Sequence, residues 1–218
     1  MIGIISAFGA VISWTYACFI WRSQTEKYKS VDINLIKNVI AFLIFIPTFI
    51  NFSFSFELKY ILILMMSGVI GIGLGDTFYI KSLQTIGTRK TLTIEAISPL
   101  IAAISGEMII NESLTIKSWI GIIIISISLF FLLNKNTQLI SQKSPLLEKN
   151  NFKVYAFPLL SILFAVFGGI LSRIVFLESS ISPFHTTQIR LLGAIIFLIT
   201  IKRFRFNFFL RQLEKNQQ

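Results

Sequence analysis

The sequence holds a single cysteine, Cys18, and a single histidine, His185, in 218 residues. One thiol excludes a disulfide within the chain and a cysteine-based metal centre. One imidazole excludes any two-histidine metal motif. No nucleophile–base pair stands out either, so no catalytic residue, metal or cofactor is expected. Charge is scarce as well: Asp, Glu, Lys and Arg make up 14% of the chain, against about 25% in a soluble domain. So few charges cannot wet a globular surface. What is present instead is apolar: 54% hydrophobic residues and a mean hydropathy of +0.76. Apolar runs of roughly 20 residues recur, long enough to cross a bilayer as helices. A spanning backbone must satisfy its own hydrogen bonds. The fold expected is therefore all-α, a polytopic membrane helix bundle.

Seven apolar segments are expected as helices: 3–21, 36–54, 60–82, 91–110, 118–133, 154–176 and 183–201. The first lacks the positive start of a signal peptide and reads as a retained helix. Residues 135–153 are polar, contain Pro145 and read as a linker; 202–218 is a basic-aromatic tail, either an interfacial segment or a stop-transfer flank. "IKNVIAFLIFI" (36–46) lines up with "IRLLGAIIFLI" (189–199), placing Lys37 against Arg190. "AVISWTYA" (10–17) lines up with "AVFGGILS" (165–172). The division expected is a first repeat of five helices over 1–134 and an incomplete second unit of two over 154–201. Because five is odd, the units enter the bilayer from opposite sides, as in inverted-repeat transporters.

The excess of 20 Lys+Arg over 10 Asp+Glu would suggest nucleic acid in a soluble protein. In a membrane protein it marks cytoplasmic loops, so the lipid bilayer and not nucleic acid is the expected partner. Sixteen of the 20 cations fall on the face reached after the odd-numbered helices. That face is assigned to the cytoplasm and the N-terminus to the outside.

"GVIGIGLGDTFYI" (68–80) looks like a phosphate loop but lies inside a continuous apolar run. A dinucleotide fingerprint needs a strand before it and a helix after it, so that reading fails. Gly68, Gly71 and Gly75 instead fall on one helical face and let two membrane helices approach closely. Asp76 follows them about 7–8 Å from the middle of its helix, where an acid costs about 2.5–3.5 kcal/mol even on mild insertion scales. It must take a proton or find a partner. Glu95 repeats the pattern on the next helix, sharing a face with Pro99, Ala102 and Gly106. Two readings stay open: a proton or substrate relay, or a structural acid paired with Lys37 or Lys81. Lys37 reads as a counter-ion or anchor, or as part of a substrate site. Arg173, Glu178 and Arg190 are expected to pair near the opposite face, and His185 to be solvated. Glu112 is a turn residue or a functional acid. Trp14, Tyr16 and Tyr79 are cavity-lining candidates, or else ordinary core or interfacial aromatics.

"IEAISPLIAAISGEMIINESLTIKSWIGIIIISISLFFLL" (94–133) resembles the EamA-type members of the drug/metabolite transporter superfamily. The likeness rests on Ser98-Pro99-Leu100, Glu112 and Trp119-Ile120-Gly121, and Lys37 and Arg190 fall near that family's common arginine. The resemblance implies ten helices in two repeats, an N-terminus in the cytoplasm, and export or uptake of amino acids or other small metabolites by alternating access. It also implies a multi-pass location in a prokaryotic cytoplasmic membrane. With seven helices expected here, the alternative is a shortened, non-transporting protein that is inactive or needs a partner chain. A homodimer completing the bundle is a further alternative.

Overall fold

The computed structural model describes residues 2–47, 57–134 and 152–215, and among these every regular element is helical. Helix α1 spans Ile2–Gln24, α2 Ser30–Phe45 and α3 Leu58–Ser67. A π-helical segment, Gly68–Gly75, joins α3 to α4, Asp76–Glu95. Then follow α5 (Ser98–Ile110), α6 (Ile116–Asn134), α7 (Ala156–Glu178) and α8 (Pro183–Lys215). Leu58–Glu95, Ala156–Glu178 and Pro183–Arg203 are long and apolar enough to cross a membrane; Ser98–Ile110 and Ile116–Ser128 are shorter apolar helices. The chain is a polytopic helical membrane protein.

Leu58–Glu95 is not one straight rod. Ser82 Oγ and Thr91 Oγ1 are hydrogen-bonded at 2.8 Å, whereas nine residues of straight helix would separate them by about 13.5 Å. The chain folds back at Gly87, whose φ of 81° and ψ of 165° are non-helical and which a residue with a Cβ adopts only with strain. The return leg brings Glu95 back beside the first half of α4. It turns again at residues 96–97 and continues as α5, which ends at Asn111 in the left-handed conformation (φ 56°), one that asparagine tolerates.

Several boundaries differ from the sequence reading. Helix α2 begins at Ser30, not at residue 36, because Asn34 and Asn38 are buried by partners that periodicity does not reveal. Residues 48–56, which the second segment was expected to include, lie outside the described residues, as does 135–151 of the linker. Pro99 does not lie inside one continuous helix over 91–110. It sits in the first turn of α5, where its missing N–H has no intrahelical partner to lose. The tail is no separate segment, since α8 continues through it to Lys215.

The helices are held together where side chains are missing. A Cβ on Gly68 would strike the Arg190 carbonyl of α8; one on Gly75 would lie 3.2 Å from the Ala165 nitrogen of α7. Gly168 faces Gly71 so closely that its Cβ would lie 2.5 Å from the Gly71 Cα. Ser67 Oγ donates to the Gly168 carbonyl across the same contact, at 2.6 Å. Helices α2 and α8 run antiparallel: Gln188 Nε2 donates to the Phe45 carbonyl at one end, and Lys202 pairs with Asp32 at 3.0 Å at the other.

Two neighbouring glycines test this crossing. Gly168→Ala forces backbones apart and is expected to cost about 1–3 kcal/mol. Gly169→Ala, with nothing within 4 Å of the added Cβ, is expected to be neutral or stabilising by up to about 1 kcal/mol. Thermal unfolding in detergent separates them, and equal Tm values would overturn the account.

Candidate functional site

The π segment is the starting point. Where a five-residue hydrogen-bond repeat returns to the four-residue repeat of an α-helix, one backbone carbonyl is passed over. An orphaned carbonyl in an apolar bundle has no water to turn to. Asn34 of α2, fully buried, supplies the donor: its Nδ2 lies 2.9 Å from the Ile72 carbonyl, 3.2 Å from that of Gly73 and 2.9 Å from Thr77 Oγ1. Thr77 Oγ1 donates to the Gly73 carbonyl at 2.6 Å, and Asn38 Nδ2 donates to Asn34 Oδ1 at 3.1 Å. The amide thereby fixes where the π segment ends, and so where Asp76 begins the next helix.

Asp76 accepts a hydrogen bond from Lys37 Nζ, and the two form an ion pair with side chains less than one-fifth exposed. Lys37 lies one turn after Asn34 on the same face of α2, near the middle of that helix rather than near an end. Its Nζ also sits 5.0 Å from the centre of the Trp21 ring, a cation–π contact. Lys81 turns away, donating to Gln84 Oε1 at 3.3 Å.

Behind the pair lies an aromatic cluster. Trp14 and Trp21 of α1 meet edge-on at 5.2 Å, and both approach Tyr79, at 5.7 and 6.4 Å. Tyr79 is 4% exposed, and its hydroxyl is hydrogen-bonded to Cys18 Sγ at 3.2 Å. Positions 14, 18 and 21 form one stripe of α1. Tyr16 is on the opposite side and 70% exposed, so it lines no part of this cluster; its spacing from Trp14 already turns it outward.

Glu95 arrives from the return leg. Its Oε1 atom is buried and has no hydrogen-bond partner. Ser161 of α7 stands beside the carboxyl group, and Asp76 acts on it electrostatically. The expected shared face of Glu95, Pro99, Ala102 and Gly106 is split by the turn at 96–97. Pro99, Ala102 and Gly106 line a cavity of about 260 Å³ with Glu107 and Glu112. Ala102 and Gly106 also border a second of about 370 Å³ against Ala165 and Gly169. Glu95 lines neither.

The expected trio near the other face does not form. Arg173 bonds Glu112 through Nε at 2.7 Å, which ties the turn after α5 to α7. Glu178 pairs with Lys59 at 3.4 Å in an exposed position. Arg190 is drawn inward: its Nη2 lies 3.3 Å from where a Gly71 Cβ would be, and its Nε is buried without a hydrogen-bond partner. The carboxylate acting on it is Asp76. Sequence reasoning missed Asn34 and the inward Arg190. The i, i+3, i+4 spacing of Asn34, Lys37 and Asn38 was the available signal for the first.

A helical bundle that holds a partly buried lysine, arginine and two acids around glycine-rich crossings is the build of a membrane transport protein, since intramembrane ionisable groups mark solute and ion pathways. The family model for the EamA-like transporter family matches residues 1–134, more than half of the chain. The chain belongs to that family, which makes it a multi-pass membrane transporter of small molecules. No curated protein and no solved structure matches it.

Removing the amide of Asn34 tests the foundation of the site. Asn34→Leu strands the carbonyls at the end of the π segment and is expected to cost about 1–3 kcal/mol. Amide hydrogen exchange over residues 72–80 should accelerate in that variant. Unchanged exchange there would show that the segment is held by something else.

Proposed function

We propose that the protein is a secondary carrier that moves a small organic metabolite across a prokaryotic cytoplasmic membrane by alternating access. Glu95 is the group that takes up a proton or the cationic part of the solute. The observation that carries this reading is the buried, unpartnered carboxyl oxygen of Glu95. An ionised carboxylate without a partner is among the costliest groups to hold in an apolar medium. It therefore holds either a proton or a cation, and exchange between the two couples solute to protons. Asp76 is already matched by Lys37, so it serves to tune the field at Glu95 rather than as the exchangeable acid.

The frame for alternating access is a pair of repeats of opposite orientation, 1–134 and 154–201, joined by the linker 135–153. Support comes from α2 and α8, which carry the aligned segments and lie antiparallel. The close backbone approaches between the π segment and α7 and α8 support this reading, since contacts without side chains leave two helices free to shift.

Metabolite profiling of cells with and without the protein tests the reading. One chemical class of small solute should redistribute between cell and medium. Glu95→Gln should return the pattern to that of cells lacking the protein, while Glu178→Gln, at an exposed ion pair, should not. No redistribution of any solute by the intact chain would overturn the carrier reading and favour a chain that works only with a partner, including a second copy of itself.

A further inference from the structure

Arg190 poses a problem that the ion pair between Lys37 and Asp76 does not solve. Its guanidinium lies among helices, against Gly71, with Nε buried and unpartnered, and Arg190 forms no hydrogen bond or ion pair among the described residues. Arginine keeps its charge in proteins, so this is a cation awaiting an acceptor. Of the four ion pairs among the described residues, one takes Asp76 to Lys37 and another takes Glu112 to Arg173. The acid within electrostatic reach of Arg190 is Asp76.

The sequence alignment adds the second half of the argument. Lys37 and Arg190 occupy the same position of the repeated segment, on helices that run antiparallel. From the contacts at Phe45–Gln188 and Asp32–Lys202, the residue of α8 level with Lys37 lies about six positions after Arg190. The two cations are thus about 9 Å apart in depth, one on either side of the middle of the α2–α8 contact. Asp76 is level with one of them. The Arg190 backbone lies at Gly68 and its Nη2 reaches Gly71, so the side chain extends along the π segment in the direction of Asp76.

We propose that Asp76 changes partner, pairing with Lys37 in the state described and with Arg190 when α2 and α8 shift relative to the π segment. Each state then keeps one buried ion pair and leaves one cation unmatched, so the two differ little in energy. A carrier needs that near-balance to visit both. The proposal rests on the carrier reading above, but its test does not require transport to be measured.

The test is a double-mutant cycle on detergent-purified protein. If either cation can serve Asp76, Lys37→Met and Arg190→Met are each mild. The double variant then loses about tenfold more folded protein than the product of the single losses, and Asp76→Asn in the double background restores it. Multiplicative losses with no rescue would overturn the exchange. A second measurement applies even if the double variant fails to fold. An apolar carbodiimide condenses an amine with a neighbouring carboxyl group to an amide and leaves as the urea. In the wild-type protein it should join Lys37 to Asp76. In Lys37→Met/Arg190→Lys it should join the amine at position 190 to Asp76, as read by peptide mass spectrometry. A cross-link at 37 in the wild type with none at 190 in that variant would overturn the proposal, whatever metabolite profiling shows.

Discussion

An ammonium and a carboxylate moved from water into an apolar interior each lose several kcal/mol of hydration, and only close contact repays the loss. Lys37 and Asp76 make that contact, and much of the surrounding architecture can be read as its consequence. The pair must be brought together from α2 and α4, which fixes the register between them. It must be kept from lipid, which calls for the aromatic wall of Trp14, Trp21 and Tyr79. The acid must also point inward, although a plain α-helix from Leu58 onward would aim it elsewhere. A π turn carries more residues per turn than an α turn, so Gly68–Gly75 rotates everything after it. The carbonyl that this winding leaves behind is answered by Asn34, one helical turn before Lys37. One face of α2 therefore supplies both the counter-charge and the amide that holds the opposing helix in the required winding.

The sequence made the material visible more readily than its arrangement. Low charge and recurrent apolar runs are sufficient for a helical membrane bundle, because the bilayer permits few alternatives. Asp76 and Glu95 were conspicuous because acids in apolar runs are costly wherever they point. Lys37 as a counter-ion followed from the need for one. The π winding was not legible, since Gly-x-x-Gly spacing is equally at home in an α-helix. Asn34 was hidden with it: a buried asparagine is recognisable only once its orphaned acceptors are known. Arg190 was expected to join Arg173 and Glu178 near the opposite face and instead turns inward against Gly71, because hydropathy locates a residue along its own helix but not against its neighbours. Pro99 was misread for a related reason. A proline inside an apolar run is a kink or a start, and the turn at 96–97 that decides between them depends on the tertiary fold.

The same geometry separates two roles that the sequence left merged. Asp76 has its counter-charge in Lys37 and Glu95 has none among the described residues, though Asp76 acts on it electrostatically. An acid that always has a cation to pair with sets the local field. An acid with a buried oxygen that accepts no hydrogen bond has room for a proton or a cation there, which is the basis of the exchange role proposed for Glu95. Ser161 stands beside Glu95 and the hydrogen-bonded Cys18 and Tyr79 lie within its electrostatic reach, weakly polar groups that can orient a carboxyl group but not neutralise it.

Glycine gives the bundle its capacity to move as well as its close packing. Where side chains interlock, a core has few intermediate positions. At the crossing of Gly71 with Gly168, and where Gly68 meets the Arg190 backbone, backbone lies directly against backbone. Such surfaces carry few ridges, and Ser67 Oγ on the Gly168 carbonyl is a polar tether across them. Such a contact resists separation but opposes sliding weakly. The charged groups then supply what the smooth contact lacks, a small number of preferred positions. The cations on α2 and α8 fix where along the π segment each helix comes to rest, and the single carboxylate between them keeps both positions from being occupied at once.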